Sequence, residues 1–190
     1  MSMPTINQMW KHFITITKHK YYVACACFKC GLYYQGIVHD LSKYRFREFF
    51  SSAAYFQGNK SPINAEKAEK GYSIAWQWHK GCNPHHYEFW VDRLDEGGVP
   101  LLIPYKYAME MICDWIGAGK AYEKAKWNSS TPLNYYNKNM KSTAKIHYRV
   151  KKFVENILES LSEKSEIVLK DQRNIKRIYK NFIEKGDFCK

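Results

Sequence analysis

No run of alternating apolar and polar residues in this chain is long enough to build a sheet, and that absence constrains the fold most. Apolar residues recur instead at helical spacing. From residue 7 to about 30, Trp10, Phe13, Ile14, Tyr21, Tyr22 and Phe28 fall near one broad face. Gly31 ends that helix, and residues 32–40 form a short second one. A third runs over 44–57 and breaks at Gly58-Asn59. Ser61-Pro62 starts a fourth, which continues to His79-Lys80 and stops at Gly81-Cys82-Asn83-Pro84. Residues 85–91 read as a short helix and 92–98 as an acidic, Gly-containing loop. Pro104 opens a strong helix through about residue 122, and 128–132 is a loop. Two charged amphipathic helices close the chain, over about 143–161 and 166–185.

The expectation is an all-α, single-domain helical bundle over residues 1–190, a length that suits one domain with its own core. Residues 7–125 carry the chemistry, and the segment from about 128 onward supplies accessory packing helices. Aromatic residues make up 16% of the chain, so the predicted core is bulky and partly polar.

Thirty Lys and Arg against 18 Asp and Glu give a net charge of +12, which suits nucleotides, nucleic acid or another acidic surface. The lysines are spread through the chain, so solvated faces account for them equally well. Residues 1–20 lack the apolar segment of a signal peptide. The most apolar stretch, 21–38, is interrupted by Lys29 and Gln35 and reads as a buried helix pair, not a membrane span. A cytoplasmic setting with reduced thiols and no membrane partner is expected. Cys27 and Cys30 have the spacing of a redox or zinc motif, but no second pair completes a zinc site. On a helix they read as small core residues.

The chemistry centres on the adjacent pair His39-Asp40, followed by Leu41, Ser42 and Lys43. Further candidate ligands follow in order: His19 upstream, then His79, the pair His85-His86, and Asp114. Small residues Gly117, Ala118 and Ala121 near Asp114 allow neighbouring helices to approach closely. Imidazoles and carboxylates bind divalent metals, and this many from separate helices suffices for two ions bridged by Asp40. Each has a bland alternative, such as a helix cap for His39-Asp40 or a surface His for His19.

This order, with the signature HDLSK, resembles the HD-domain superfamily of metal-dependent phosphohydrolases. The stretches HDLSKYRFREFF, AWQWHKGCNPHHYEFW and MICDWIGAG also resemble a bacterial and phage family of unknown function, over roughly residues 10 to 125. The resemblance implies that His19, His39, Asp40 and Asp114 form the core metal motif and that His79, His85 and His86 hold a second metal. The ions would be Mn, Fe, Zn, Ni or Mg. The histidines between HD and the final Asp are similar to those of dinuclear branches, but the chain lacks the GYP segment of the cyclic-dinucleotide enzymes.

The implied activity is hydrolysis of a phosphate ester, with a nucleotide as the anionic small-molecule substrate. Asp40, Lys43 and Glu88 are the catalytic candidates; Lys43, Lys80, Asn83 and Lys120 are the substrate-binding ones. Glu110, four residues before Asp114, shares its face and is placed to orient a ligand histidine, as is His12 on the face of His19. Trp76, Trp78, Tyr87 and Trp90 either stack on a base or pack in the core, and His147 reads as structural. Two alternatives remain open at this point. One is a di-iron oxygenase on the same scaffold. The other is a nucleotide or nucleic-acid binding or sensing protein with a non-catalytic metal site.

Overall fold

The computed structural model describes residues 3–58, 60–92 and 97–183. Among these the fold is all-α apart from one antiparallel hairpin, β1 (Val91–Asp92) with β2 (Val99–Pro100). The helices are α1 (Ile6–Lys29), α2 (Tyr33–Val38), α3 (Phe46–Ala54), α4 (Pro62–Lys70), α5 (Ile74–Cys82), α6 (Tyr105–Glu123), α7 (Thr131–Asn139), α8 (Tyr148–Lys164) and α9 (Gln172–Ile183).

α1 begins at a capping box. Thr5 Oγ1 accepts the Gln8 N–H at 3.2 Å, and Gln8 Oε1 accepts the Thr5 N–H at 2.9 Å. The helix then packs along α6, and the face it buries is His12, Ile16, His19, Val23, Ala26 and Cys27. The aromatic face is turned outward: Trp10, Phe13, Tyr21 and Phe28 are all exposed. The reason is the close approach of α1 to α6, which needs small contact residues. A Cβ on Gly117 would overlap Val23 Cγ2 and stand 3.0 Å from the Val23 nitrogen and 3.3 Å from the His19 oxygen. An aromatic stripe would not fit that seam.

The core is accordingly less aromatic than composition predicts. One cluster joins Val23, Ala26 and Cys27 of α1, Met109, Ile112 and Ile116 of α6, Tyr136 of α7, and Val150, Phe153 and Leu158 of α8. Cys27 and Cys30 lie in it as buried thiols, with Cys30 Sγ 3.9 Å from Cys113 Sγ. The C-terminal helices thus pack onto the same core as the helices that carry the candidate ligands.

Several element boundaries differ from the sequence expectation; the helix expected over 85–91, for one, is a 3₁₀ turn (Tyr87–Trp90) that runs into β1. The single helix expected after Ser61-Pro62 is two, because Gly71 adopts φ 80° and its N–H caps back to the Lys67 oxygen. Ser73 then caps α5 by accepting the Trp76 N–H at 3.1 Å, and its hydroxyl donates to Glu66 at 2.6 Å. The loop expected over 128–132 leads straight into α7, with Pro132 in its first turn, where a missing N–H costs nothing. The last expected helix divides at Asp171 into a 3₁₀ turn (Ser165–Lys170) and α9. His147 caps α8, its Nδ1 accepting the Arg149 N–H. Most of the acidic loop expected over 92–98 lies outside the described residues.

His12 sits between Phe49 and Phe56, ring centroids 5.2 and 5.5 Å away. Burial, with help from the Lys43 charge, lowers its pKa from 6.5 to about 4. The unfolded chain therefore takes up this proton near pH 6.5 while the folded protein resists it. Stability from this residue is complete above pH 6.5 and is lost as pH falls toward 4, by about 3 kcal/mol at ~1.4 kcal/mol per pKa unit. Urea denaturation as a function of pH should show that increment in the wild type and its absence in His12→Phe. Separately, Gly117→Ala should destabilise the protein by about 1–3 kcal/mol, because neither helix backbone can yield to the added methyl. An unchanged denaturation midpoint would mean that the α1–α6 seam is looser than described.

Candidate metal centre

α2 ends at Val38, and the chain turns through His39 and Asp40 before a 3₁₀ turn over Leu41–Tyr44. Asp40 adopts φ 55°, a left-handed conformation that Asp tolerates better than most non-glycine residues. The turn drives its carboxylate into the bundle, where it is 2% exposed. Each oxygen meets a different set of side chains. Oδ2 lies 3.3 Å from His19 Nε2 and 3.4 Å from His39 Nε2. Oδ1 lies 3.3 Å from His79 Nε2 and 3.4 Å from His85 Nε2. Asp114 from α6 joins the first set, its Oδ1 3.0 Å from His19 Nε2 and 3.4 Å from His39 Nε2. His86 joins the second, with Nε2 2.8 Å from His79 Nε2.

Two groups of potential ligands meet at Asp40, His19–His39–Asp40–Asp114 and Asp40–His79–His85–His86, and either could hold a metal ion; a third, His39–His85–Glu110, lies beside them. Within each, one donor atom per residue lies within 4.8 Å of all the others. Donors at ~2.0–2.4 Å from one ion are at most about twice that distance apart, so the spacing fits. The donor chemistry fits too. Asp40 Oδ1 and Oδ2 and His85 Nε2 are buried without a hydrogen bond of good geometry, although Lys43 Nζ stands 2.6 Å from Oδ2. Buried polar atoms left like this are costly unless something else meets them.

The Nδ1 nitrogens of His39, His79 and His85 are held by carboxylates, whereas His19 Nδ1 is buried without a hydrogen bond. Glu110 Oε1 is 2.9 Å from His39 Nδ1 and 3.2 Å from His85 Nδ1, so one side chain orients a member of each group. Glu48 Oε1 is 2.6 Å from His79 Nδ1. The Asn83 amide donates to Ser42 Oγ at 2.8 Å and to the His79 oxygen at 2.7 Å, bracing the end of α5. With the Nδ1 atoms of these three rings committed to carboxylates, their Nε2 atoms turn toward Asp40.

Electrostatics follow from that packing. Burial alone would raise the pKa of Asp40, but His39, Lys43 and His79 outweigh it and hold the group well below the usual range. The same balance, with His19 and His39 as partners, lowers Asp114. Burial opposes a charge on His39, yet Asp40, Asp114 and Glu110 together pull its pKa well above 6.5. His86 moves the other way: burial and the neighbouring His85 and His79 hold it neutral. The carboxylates of the centre thus favour positive charge on His39 and His79.

A cavity of about 470 Å³ opens onto the centre. His19, Lys43, His79, His86 and Asp114 form its floor; Lys60 and Lys67 of the α4 region line one wall, and Trp115, Tyr122 and Tyr135 another. Glu88, Trp76 and Tyr87 also border it, and burial raises the pKa of Glu88. The other candidates lie elsewhere. Lys120 is ion-paired with Glu166 and stacks over Trp127, Lys80 does not line the cavity, and Asn83 is an interior brace. His12 makes no hydrogen bond through its Nδ1 and lies in its aromatic slot. Trp90 donates its indole N–H to the Pro84 oxygen, and Trp78 is half exposed beneath Arg47. Glu48, Lys60, Lys67 and the Trp115 wall were not marked by the sequence, since no local spacing links them to the ligands.

A family model matches residues 8–160, most of the chain and every candidate ligand. The chain belongs to DUF5662, a family of unknown function. Neither the curated proteins nor the solved structures contain a match to it. The DUF5662 region therefore spans the whole centre and ends within α8.

The shared role of Glu110 separates it from Glu48. Glu48→Gln should weaken metal binding at the His79 group alone, while Glu110→Gln should weaken both groups, each by roughly 10–100-fold. Calorimetric titration of the apo protein with zinc or manganese reads both effects. Identical losses in the two variants would contradict this division.

Proposed function

We propose that the protein is a metal-dependent phosphohydrolase in which His19, His39, Asp40 and Asp114, and Asp40 with His79, His85 and His86, would hold divalent cations. The observation that carries this reading is the division of the Asp40 carboxylate, with one oxygen toward His19, His39 and Asp114 and the other toward His79, His85 and His86. The order of these residues along the chain and the resemblance to HD-domain phosphohydrolases support it. The proposed substrate is a phosphate ester on a small anionic molecule, a nucleotide. The cavity volume of about 470 Å³ falls within the ~300–1,000 Å³ of small-molecule pockets.

When bound, the cations would supply a water of lowered pKa and Lewis-acid polarisation of a phosphoryl oxygen. The protein's own groups do the rest. Lys43, on the cavity floor, offsets the charge of a phosphate, and Lys60 and Lys67 extend positive charge toward the mouth. Glu88 borders the same space with Oε2 free of hydrogen bonds, placing it to exchange a proton with an attacking water or a leaving oxygen. The buried surroundings of Asp40 exclude bulk water and strengthen each of these interactions.

Elemental analysis of the purified protein, then a nucleotide-panel hydrolysis assay with the metal found, tests the reading. Asp40→Ala should lose metal and reduce turnover to background while its circular dichroism stays helical. Undiminished turnover in that variant would sink the proposal. Stable iron with oxygen consumption would point instead to a di-iron oxygenase. Salt-dependent nucleotide binding without turnover, across several metals, would point to a sensing protein.

A further inference from the structure

The outward face of α1 is the reverse of the side that carries His12 and His19. At about 100° per residue, Ile6, Trp10, Phe13, Tyr21 and Phe28 fall within an arc of about 80°, opposite His12, His19 and Val23. Trp10 is 61% exposed and Tyr21 64%. α2 continues the surface: the Tyr33 ring lies 5.6 Å from Phe28, and Ile37 is 61% exposed. Together these side chains expose an area on the order of several hundred Å², at or above the ~300–600 Å² of the largest apolar patch on a typical monomer.

The charge around this face has one sign. Before Glu66 the only acidic residues are Asp40 and Glu48, and both are buried. Lys11, Lys18, Arg45 and Arg47 are exposed over the same segment. At the far end of α1 a carboxylate from elsewhere arrives, where Glu166 pairs with Lys29. Protruding aromatic and aliphatic side chains thus stand among cations, with no exposed carboxylate contributed by the segment.

We propose that this face docks on an anionic phospholipid bilayer. Tyr and Trp favour the headgroup boundary, aliphatic side chains such as Ile6 and Ile37 insert just below it, and the lysines and arginines meet the acidic headgroups. A second copy of the chain fits less well, because an isologous contact would set this cationic patch against itself. A nucleic acid would use the charge and the flat rings but leaves Ile6, Ile37 and Leu41 without a partner. Lying on a bilayer requires no spanning helix, and among the described residues none is long and apolar enough to cross one. The sequence expectation of no membrane partner rests on spanning, which this docking does not require.

Sedimentation of the full chain with vesicles tests the proposal. The probes are phosphatidylcholine alone and phosphatidylcholine with about one-third phosphatidylserine. The wild type should partition at least tenfold more strongly onto the serine-containing vesicles, and high salt should reduce that binding. Trp10→Ser with Ile37→Ser removes inserted side chains, and Lys11→Glu with Lys18→Glu inverts charge; all four positions are exposed, so each pair should keep the helical circular dichroism. Each pair should lower partitioning by tenfold or more. Equal binding by wild type and both variants, or no binding to either vesicle, would overturn the proposal. So would concentration-dependent dimerisation lost in the Trp10 variant, or tight binding to a single-stranded oligonucleotide in place of the vesicles.

Discussion

A buried carboxylate with two solvent-free oxygens cannot stand alone in a protein interior, and the arrangement of this bundle answers that constraint at Asp40. Burying an uncompensated ion costs several kcal/mol even after relaxation. Five imidazoles, a second carboxylate and Lys43 converge on it from α1, the α2 end, α5, the segment after α5, and α6. Those elements are far apart in sequence, so their packing is what brings compensation to the charge. Gly117 matters for this reason. The backbone contact it permits with Val23 and His19 brings the α1 histidine within 3.0 Å of Asp114.

The supporting carboxylates give that convergence direction. Glu110 is 4% exposed, and burial alone would raise its pKa. The hydrogen bonds from His39 and His85, with the charge of the two rings, hold it lower and keep it ionised. An ionised Glu110 selects the Nδ1–H form of both rings, and both Nε2 atoms then face Asp40. Glu48 does the same for His79. The inward donor set is therefore prepared by groups that do not themselves belong to it. The cavity adds an entrance whose lysines and aromatic wall lie outside the charge-compensating cluster.

Much of this centre was legible because its residue types are expensive to bury. Asp114 in an otherwise apolar helix needs a partner, and the order of His19, His39-Asp40, His79 and Asp114, with its resemblance to HD-domain proteins, puts these residues in one set. Glu110 was legible through its four-residue spacing to Asp114. Glu48 was not, since its partner His79 lies on another helix and no local spacing joins them. Asn83 and Lys120 had suitable chemistry in the right neighbourhood, but a brace and an ion pair claim them. In the fold, Gly71 and Ser73 carried the signals that divide α4 from α5, and they were overridden by an apolar pattern that continues across them. α7 begins at a proline that reads equally well as a loop or as a helix start.

The departure from the aromatic core that composition predicts is greatest at α1, and its cause is physical. Periodicity identifies a face of a helix but not which of two faces is inside. α1 has two stripes: one large and aromatic, the other built from Ile16, Val23, Ala26 and two histidines. By apolar area alone the aromatic stripe should win the interior, since burial is worth about 25 cal/mol per Å². It loses because α6 approaches too closely at Gly117 and because His19 must reach Asp40 and Asp114. The site therefore sets the orientation of the helix, and the aromatic stripe is what that choice leaves at the surface. Since the two stripes lie on opposite sides of α1, whatever covers the outer one does so on the side away from His19 and the cavity it lines.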